Sequence, residues 1–352
     1  MKGYGMLAVD KPGWIEKEKP TAGPLDAVLK PIALAPCSSD THALHGGAKT
    51  KENLILGHEA LGEVVEVGSM VTRFKPGDKV VVPCCTPDWE QVALQEKDIN
   101  NAHDAGLMRS FKYLTSKDGV FAEYFHCNNA DANLVPLPED VSIEDALMTV
   151  DMMSTGFHAA ENAEVSFGDS VVVFGIGPVG LMSIAGAALR GAGKIYGVGT
   201  RPDCAKLARE YGATDIISYK EGDTVEQILE KNGGQVDRAI IANTNTSCMV
   251  QALKLVRPNG NISSIAFYDM RDTISFPTAL WGLGMSNVTL RCGFCPGGAY
   301  RIGKMLEVIR ADRCHPGKML NYKYHGFEKI EDAFKVMDEK PRDLIKPIVY
   351  CD

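Results

Sequence analysis

The rhythm of apolar and polar positions changes near residue 154. Before it, the chain reads as short strands and turns with few long helical periods. From 154 to about 294, short apolar runs alternate with stretches of helical composition. Residues 171–175, 194–199, 215–219, 237–242, 261–267 and 288–292 are the expected strands. The run 171–173 is β-branched, as befits a strand buried on both faces of a parallel sheet. Residues 181–189 are rich in Ala, Met and Leu, which favours helix. Six strands separated by helices predict the α/β class with a doubly wound parallel sheet. The remainder, 295–352, is expected to rejoin the first domain, with a last strand at 345–349. The expected domains are therefore 1–153 with 295–352, and 154–294, and a ligand cleft is expected between them. No repeat or low-complexity segment is visible.

The turn after the first of these strands carries Gly175-Ile176-Gly177-Pro178-Val179-Gly180, a G-x-G-x-x-G pattern. Thirty-five glycines make such a pattern weak alone, and an ordinary glycine-rich turn is the plain alternative. The strand before it and the helix after it supply the context of a Rossmann dinucleotide site. There the glycines let backbone approach a pyrophosphate, and the helix N-terminus offers free N–H groups. The next strand ends in Gly199-Thr200-Arg201. An NAD site usually places a carboxylate there, bonded to the ribose 2′-hydroxyl. None is present, Thr200 offers a hydroxyl, and Arg201 can fork onto a phosphate. That favours NADP, against the plainer reading of Arg201 as a solvated surface residue. Tyr219 could cover the adenine or bond the phosphate.

Three separated residues could hold a metal. Cys37 begins Cys-Ser-Ser39-Asp-Thr-His42, His58-Glu59 follows Gly57, and Asp151 opens a run ending at His158. Singly, each has an ordinary explanation: a buried thiol, a satisfied core histidine, a helix N-cap before Ser154 and Thr155. Ser39 and His42 alone read as turn capping and a surface histidine. Jointly, Cys37, His58 and Asp151 give the N, S and O donors of a catalytic zinc site with one open position. A Lewis acid and a hydride carrier in one chain can interconvert an alcohol and a carbonyl.

At this point the chain resembles the zinc-dependent medium-chain alcohol dehydrogenases, in particular their NADP-dependent secondary-alcohol branch. The resemblance runs the full length. It rests on Gly57-His-Glu, Val80-Val-Val-Pro83 with Thr86-Pro-Asp-Trp89, Asp118-Gly-Val-Phe121, Asp151-Met-Met-Ser-Thr-Gly-Phe-His158 and Cys295-Pro-Gly-Gly298. It implies a mostly-β, GroES-like catalytic domain beside the Rossmann domain. It implies zinc on Cys37, His58 and Asp151, with Glu59 as an occasional fourth ligand. Cofactor contacts are implied at Ile176 to Val179, Gly199 to Arg201 and Tyr219, and also at Ala266, Phe267, Tyr268 and Lys340. A proton relay is implied from Ser39 through the cofactor ribose to His42 and solvent. Ser39, Cys85, Phe111 and Cys295 would line the substrate pocket, and the assembly would be a homotetramer or homodimer. Many relatives carry a structural zinc on four closely spaced cysteines. Residues 86–126 contain no cysteine here, so a single catalytic zinc is expected, with the lobe 86–115 held by packing.

The resemblance implies a small-molecule alcohol or ketone substrate, such as a small ketone. Phe111 stands where many close relatives have Trp, the loop 90–115 departs from them, and Ala242-Asn-Thr-Asn245 is more polar than their Gly-rich equivalent. A bulkier secondary alcohol, such as a polyol or a sterol side chain, with NAD as an option, is therefore a live alternative. A zinc-free quinone-reductase-like protein and a non-catalytic nucleotide binder are the readings of a different class; the intact ligand set argues against both.

Composition narrows the picture further. The length of 352 residues suits two domains and 45% hydrophobic residues suffice for two cores. A net charge of −8 disfavours nucleic acid as a partner. Residues 170–189 lack charge for 20 positions, but the glycines and Pro178 fit a cofactor turn better than a membrane span. Ten scattered cysteines and no signal peptide point to the cytoplasm.

Overall fold

Alternating short apolar runs and turns shape the N-terminal region into small antiparallel strands: β1 (Lys2–Ala8), β2 (Lys11–Glu16), β3 (Ala27–Leu34), β4 (Leu54–Ile55), β5 (Ala60–Val67), β6 (Lys79–Val82), β7 (Phe125–Cys127) and β8 (Val135–Pro136). The structure, a computed structural model, describes residues 1–48, 50–91, 94, 110–281 and 285–352. The chain divides into two compact units, one of Met1–Ser154 with Cys295–Asp352, the other of Thr155–Phe294.

The second unit holds β9 (Ser170–Phe174), β10 (Lys194–Val198), β11 (Asp215–Ile217), β12 (Val236–Ile241), β13 (Val256–Ser264) and β14 (Thr289–Cys292). Among the described residues these form one sheet in the order β11-β10-β9-β12-β13-β14, and every pairing is parallel. This is the doubly wound order, in which the strand sequence reverses between β9 and β12. All five residues of β9 are buried, which explains its unbroken Val-Val-Val run. The strand ends differ most from the sequence reading at β11 and β13. β11 stops at Ile217, so Tyr219 stands beyond the strand. β13 begins at Val256 because Val256 already pairs with Val236, and the register then skips across Asn259 (φ +62°) to Asn261 opposite Arg238.

After the second unit the chain returns as β15 (Leu320–His325) and β16 (Lys346–Tyr350). These complete a seven-stranded sheet in the order β15-β16-β3-β5-β6-β8, with β7 on β3. A small sheet, β2-β1-β4, is paired apart from these strands. Among the described residues, no helix is long and apolar enough to cross a membrane.

The stem of the lobe is held differently from expectation, by polar bonds as well as packing. Thr86 N–H donates to the Ser110 carbonyl at 2.8 Å. Asn128 Nδ2 donates to the Thr86 carbonyl and to Asp88 Oδ1, both at 2.9 Å. Asn133 Nδ2 donates to the Pro87 carbonyl at 3.2 Å and its Oδ1 accepts from Trp89 Nε1 at 3.0 Å. Lys112 pairs with Asp88. These bonds satisfy loop backbone that packing alone would leave without partners. Residues 92, 93 and 95–109, most of the 90–115 loop, lie outside the described residues.

Candidate active site

Cys37 caps the helix Ser38–Leu44, and Asp40 reaches back from its first turn to accept the Cys37 N–H at 2.9 Å. The other oxygen of that buried carboxylate accepts from Gly57 N–H at 3.1 Å and from His58 Nδ1 at 3.0 Å. One carboxylate thus ties together two of the separated ligand segments. It also commits the Nδ1 proton, which leaves Nε2 free as a donor atom for a metal. Gly57 has φ +93°, and a Cβ there would lie 2.3 Å from the Phe121 ring. Gly57 and Leu56 are bonded by the backbone of Val120 and Phe121 at 3.0 Å, so the Asp118-Gly-Val-Phe121 motif is the shelf on which His58 is set.

Asp151 lies inside a π-helical turn, Thr149–Met153, between the helices Ile143–Met148 and Ser154–Asn162. It is not a helix N-cap. Wide turns of this kind recur at functional sites because they re-aim one side chain without ending the helix. Asp151 Oδ2 stands 3.4 Å from His58 Nε2 and 3.9 Å from Cys37 Sγ. The donor atoms of Cys37, His58, Glu59 and Asp151 all lie within 4.8 Å of one another. Zinc bonds of about 2.0–2.2 Å to N and O in tetrahedral array imply an N···O edge of about 3.4 Å. The spacing and the S, N and O donor types therefore fit a tetrahedral zinc ion.

Glu59 is buried, and its Oε2 has no hydrogen-bond partner among the described residues. Its Oε1 meets Lys346 Nζ at 2.7 Å, and the same ammonium donates to the Pro36 carbonyl at 3.1 Å. Burial pushes the Glu59 carboxyl up to about 7, against the pull of Lys346. Burial opposes charge on Lys346 as well, yet Glu59 raises it. The two directions compete for one proton, and the two short bonds to the ammonium favour the ion pair. Burial likewise opposes charge on His58, but Asp40, Asp151 and Cys37 raise it well above the usual imidazole range. A bound cation would reverse that, since a ligating imidazole must be neutral.

Ser39 Oγ lies 3.3 Å from His58 Nε2, and His42 is three residues further along the same helix, on the same face. Phe111 is buried, with its ring edge-on to His58 at 4.9 Å between centroids. Cys295 Sγ stands 3.9 Å from the Asp151 carbonyl, and Cys85 is fully buried. The residues expected around metal and substrate thus fall in one unit.

The dinucleotide residues fall in the other unit, except Lys340, which ends the helix Ile330–Glu339 with φ +47°. Gly175 has φ +98°. A Cβ on Gly180 would stand 1.9 Å from the Gly175 carbonyl, so the turn closes only with glycine there. Gly177 caps the helix Pro178–Leu189, which presents its N-terminus beside the switch in strand order. Thr200 Oγ1 donates to Tyr219 Oη at 3.0 Å, and the Arg201 guanidinium reaches within 3.5 Å of where a Gly177 Cβ would be. The glycine turn and the expected phosphate contacts are therefore neighbours. Gly199 has a reason of its own: a Cβ there would lie 2.2 Å from Ile176 Cγ1. Ala266, Phe267 and Tyr268 follow the carboxyl end of β13, where Tyr268 Oη and Ser264 Oγ are 3.1 Å apart. Asp40 and Lys346 were missed from the sequence.

A doubly wound nucleotide fold and a Cys–His–Asp donor set in one chain define the class of metal-dependent dehydrogenases. Comparison with known proteins agrees. Residues 178–310 match the family model for zinc-binding dehydrogenases, and residues 23–139 match that for the alcohol dehydrogenase GroES-like domain. The chain belongs to the zinc-binding alcohol dehydrogenase family. It is 50% identical over 351 residues to an NADP-dependent isopropanol dehydrogenase of Clostridium beijerinckii, covering 99% of each chain. It is 49% identical, with the same coverage, to one from Thermoanaerobacter brockii. The solved alcohol dehydrogenase TADH from Thermus sp. ATN1 superposes with a TM-score of 0.86 at 25% identity, covering 100% of both chains.

Proposed function

We propose that this protein is a zinc- and NADP-dependent secondary-alcohol dehydrogenase. The observation that carries this is the convergence of Cys37, His58 and Asp151 donor atoms within 4.8 Å, in a chain that also holds the Gly175–Gly180 turn. The similarity to isopropanol dehydrogenases supports the same reading. Cys37, His58 and Asp151 would hold the zinc. Glu59 stays out of the resident set because Lys346 holds one of its oxygens. Bound zinc would polarise the substrate oxygen and lower the pKa of a hydroxyl, and NADP would accept the hydride from the carbinol carbon.

The chain's own residues do the rest. Asp40 fixes the His58 tautomer and ring orientation. Ser39 Oγ would take the hydroxyl proton while passing its own onward, and His42, on the same helical face, would hand the relayed proton to solvent. Phe111, Cys85 and Cys295 shape the substrate side. Arg201, Thr200 and Tyr219 recognise the 2′-phosphate, while the Gly175–Gly180 turn and the helix N-terminus at Pro178 take the pyrophosphate. The first unit serves as the catalytic zinc domain and the second as the dinucleotide domain. The cysteine-free stretch 86–126 supports a single zinc per chain.

Two finer assignments belong to the same proposal. Ten free thiols suit a reducing cytoplasm. A homodimer or homotetramer is favoured by Met270, Trp281 and Met285, which are exposed on the segment leading to the edge strand β14. A bulkier substrate gains support from Phe111, whose ring faces His58 without an indole's bulk. Turnover with NADP and NAD against a graded series of secondary alcohols, alongside zinc content, tests the reading. NADP-linked oxidation of the small members supports it; activity confined to bulky alcohols moves the substrate, and zinc-independent quinone reduction refutes it.

A further inference from the structure

Three more thiols gather beside the metal set. Cys84 and Cys85 follow β6, and Cys295 begins the returning segment. All three are at most 1% exposed. Cys84 and Cys85 Sγ atoms are 3.9 Å apart, and all three sulfurs lie within 4.8 Å of one another. The arrangement is held by close backbone contact. A Cβ on Gly297 would stand 1.9 Å from the Cys85 carbonyl, so the Cys-Pro-Gly-Gly turn can press Cys295 onto the Cys84–Cys85 pair only with glycine there. Cys295 Sγ also faces the carbonyls of Val150 at 3.8 Å, Asp151 at 3.9 Å and Pro296 at 3.6 Å.

We propose that Cys84, Cys85 and Cys295 form a second, all-sulfur site that takes a soft monovalent metal ion, of which copper(I) is the representative. A soft ion about 2.3 Å from three sulfurs in a trigonal plane spaces them about 4.0 Å apart, close to the separation already present. Sulfur donors with no nitrogen or carboxylate select such ions over hard ones. An ion of single charge is balanced when one thiol releases its proton to solvent as the metal–sulfur bond forms, which leaves no net charge in the buried cluster. Nearby carbonyl dipoles favour the cation. Binding does not depend on the dehydrogenase reading. Its consequence does: Cys85 and Cys295 stand on the proposed substrate side, so an occupied cluster would slow alcohol turnover while zinc stays bound.

The test uses reduced, zinc-loaded protein titrated with copper(I) against a chromophoric copper(I) chelator. One copper per chain should be retained with zinc undisturbed, and X-ray absorption at the copper edge should show sulfur alone. Cys84→Ser and Cys295→Ser should each weaken copper binding by about 10–100-fold, while Cys127→Ser, a buried cysteine outside the cluster, should not. Release of zinc, nitrogen or oxygen around the copper, or equal binding by all variants would overturn the proposal. The absorption experiment needs only the unmodified chain, so poor folding of a variant leaves the proposal testable. Copper binding is read without turnover, so its failure is separable from failure of the dehydrogenase assignment.

Discussion

Replacing Lys346 with Met isolates what the buried ion pair does for the metal set. The ammonium and the Glu59 carboxylate are 1% and 0% exposed and 2.7 Å apart. Removing one partner strands a buried carboxylate, at a cost of about 3–5 kcal/mol. For a unit of this size that is a fall in Tm of roughly 6–20 °C in the zinc-free protein. A bound zinc ion offers the freed carboxylate a new partner. If that recovers half of the cost, about 1.5–2.5 kcal/mol, zinc binds roughly 10–70-fold more tightly to the variant. Its turnover should nevertheless fall, because a fourth protein ligand competes with substrate. Urea unfolding of zinc-free and zinc-loaded forms, with zinc affinity from chelator competition, measures each quantity. The double variant Glu59→Gln with Lys346→Met should regain most of the stability, since no charge is then stranded. Equal destabilisation with and without zinc would refute the idea that Lys346 holds Glu59 away from the metal, and no destabilisation would refute the ion pair itself.

Ser39→Ala should keep zinc bound and slow alcohol oxidation by about 10²–10⁴-fold, most severely at low pH; a pH–rate profile unchanged from the parent would mean that solvent takes the proton directly. Arg201→Ala should erode the preference for NADP over NAD by about 10–150-fold, the value of a charge-assisted bond of about 1.5–3 kcal/mol, read as the ratio of kcat/KM. Gly199→Asp is the poorer test of cofactor choice, because its Cβ would collide with Ile176. His45, bonded by Asp10 at 2.6 Å and Asp338 at 2.8 Å, has its pKa raised by those bonds. It should therefore add a small stability that is fully present below the unfolded pKa near 6.5 and is lost as pH rises through the higher folded value. Unfolding of His45→Ala against the parent at pH 5.5 and 9 checks this, with the difference larger at the lower pH.

The parts legible in the sequence were those carried by local pattern. The glycine turn announces itself because its strand, its three glycines and its helix are contiguous, and a buried parallel strand needs an unbroken apolar run. Cys37, His58 and Asp151 were legible as a set because few other functions bring a thiol, an imidazole and a carboxylate into such motifs. Asp40 was in plain view between Ser39 and His42, yet its role depends on which way its carboxylate turns. The visible signal was its place three residues after the capping Cys37, from which it can return to that residue's backbone. Lys346 lies 287 residues from Glu59, and a lysine in an otherwise apolar last strand was the only clue. Taken singly, Asp151 also read as an N-cap, because a π-turn has no sequence mark that separates it from a helix start. Gly199 was read for the room it leaves a ligand, and the Ile176 side chain packed against it gives that glycine a second reason, which the sequence did not show.

Zinc content and turnover measured together on one preparation bear most directly on the central claim. As zinc is restored to chelator-treated protein, NADP-linked oxidation of a secondary alcohol should rise in proportion to occupancy and level off at one zinc per chain. In Asp151→Asn, occupancy and turnover should fall together, by about 10–100-fold in zinc affinity. Full turnover in zinc-free protein, or an Asp151→Asn variant that keeps both its zinc and its activity, would contradict the account.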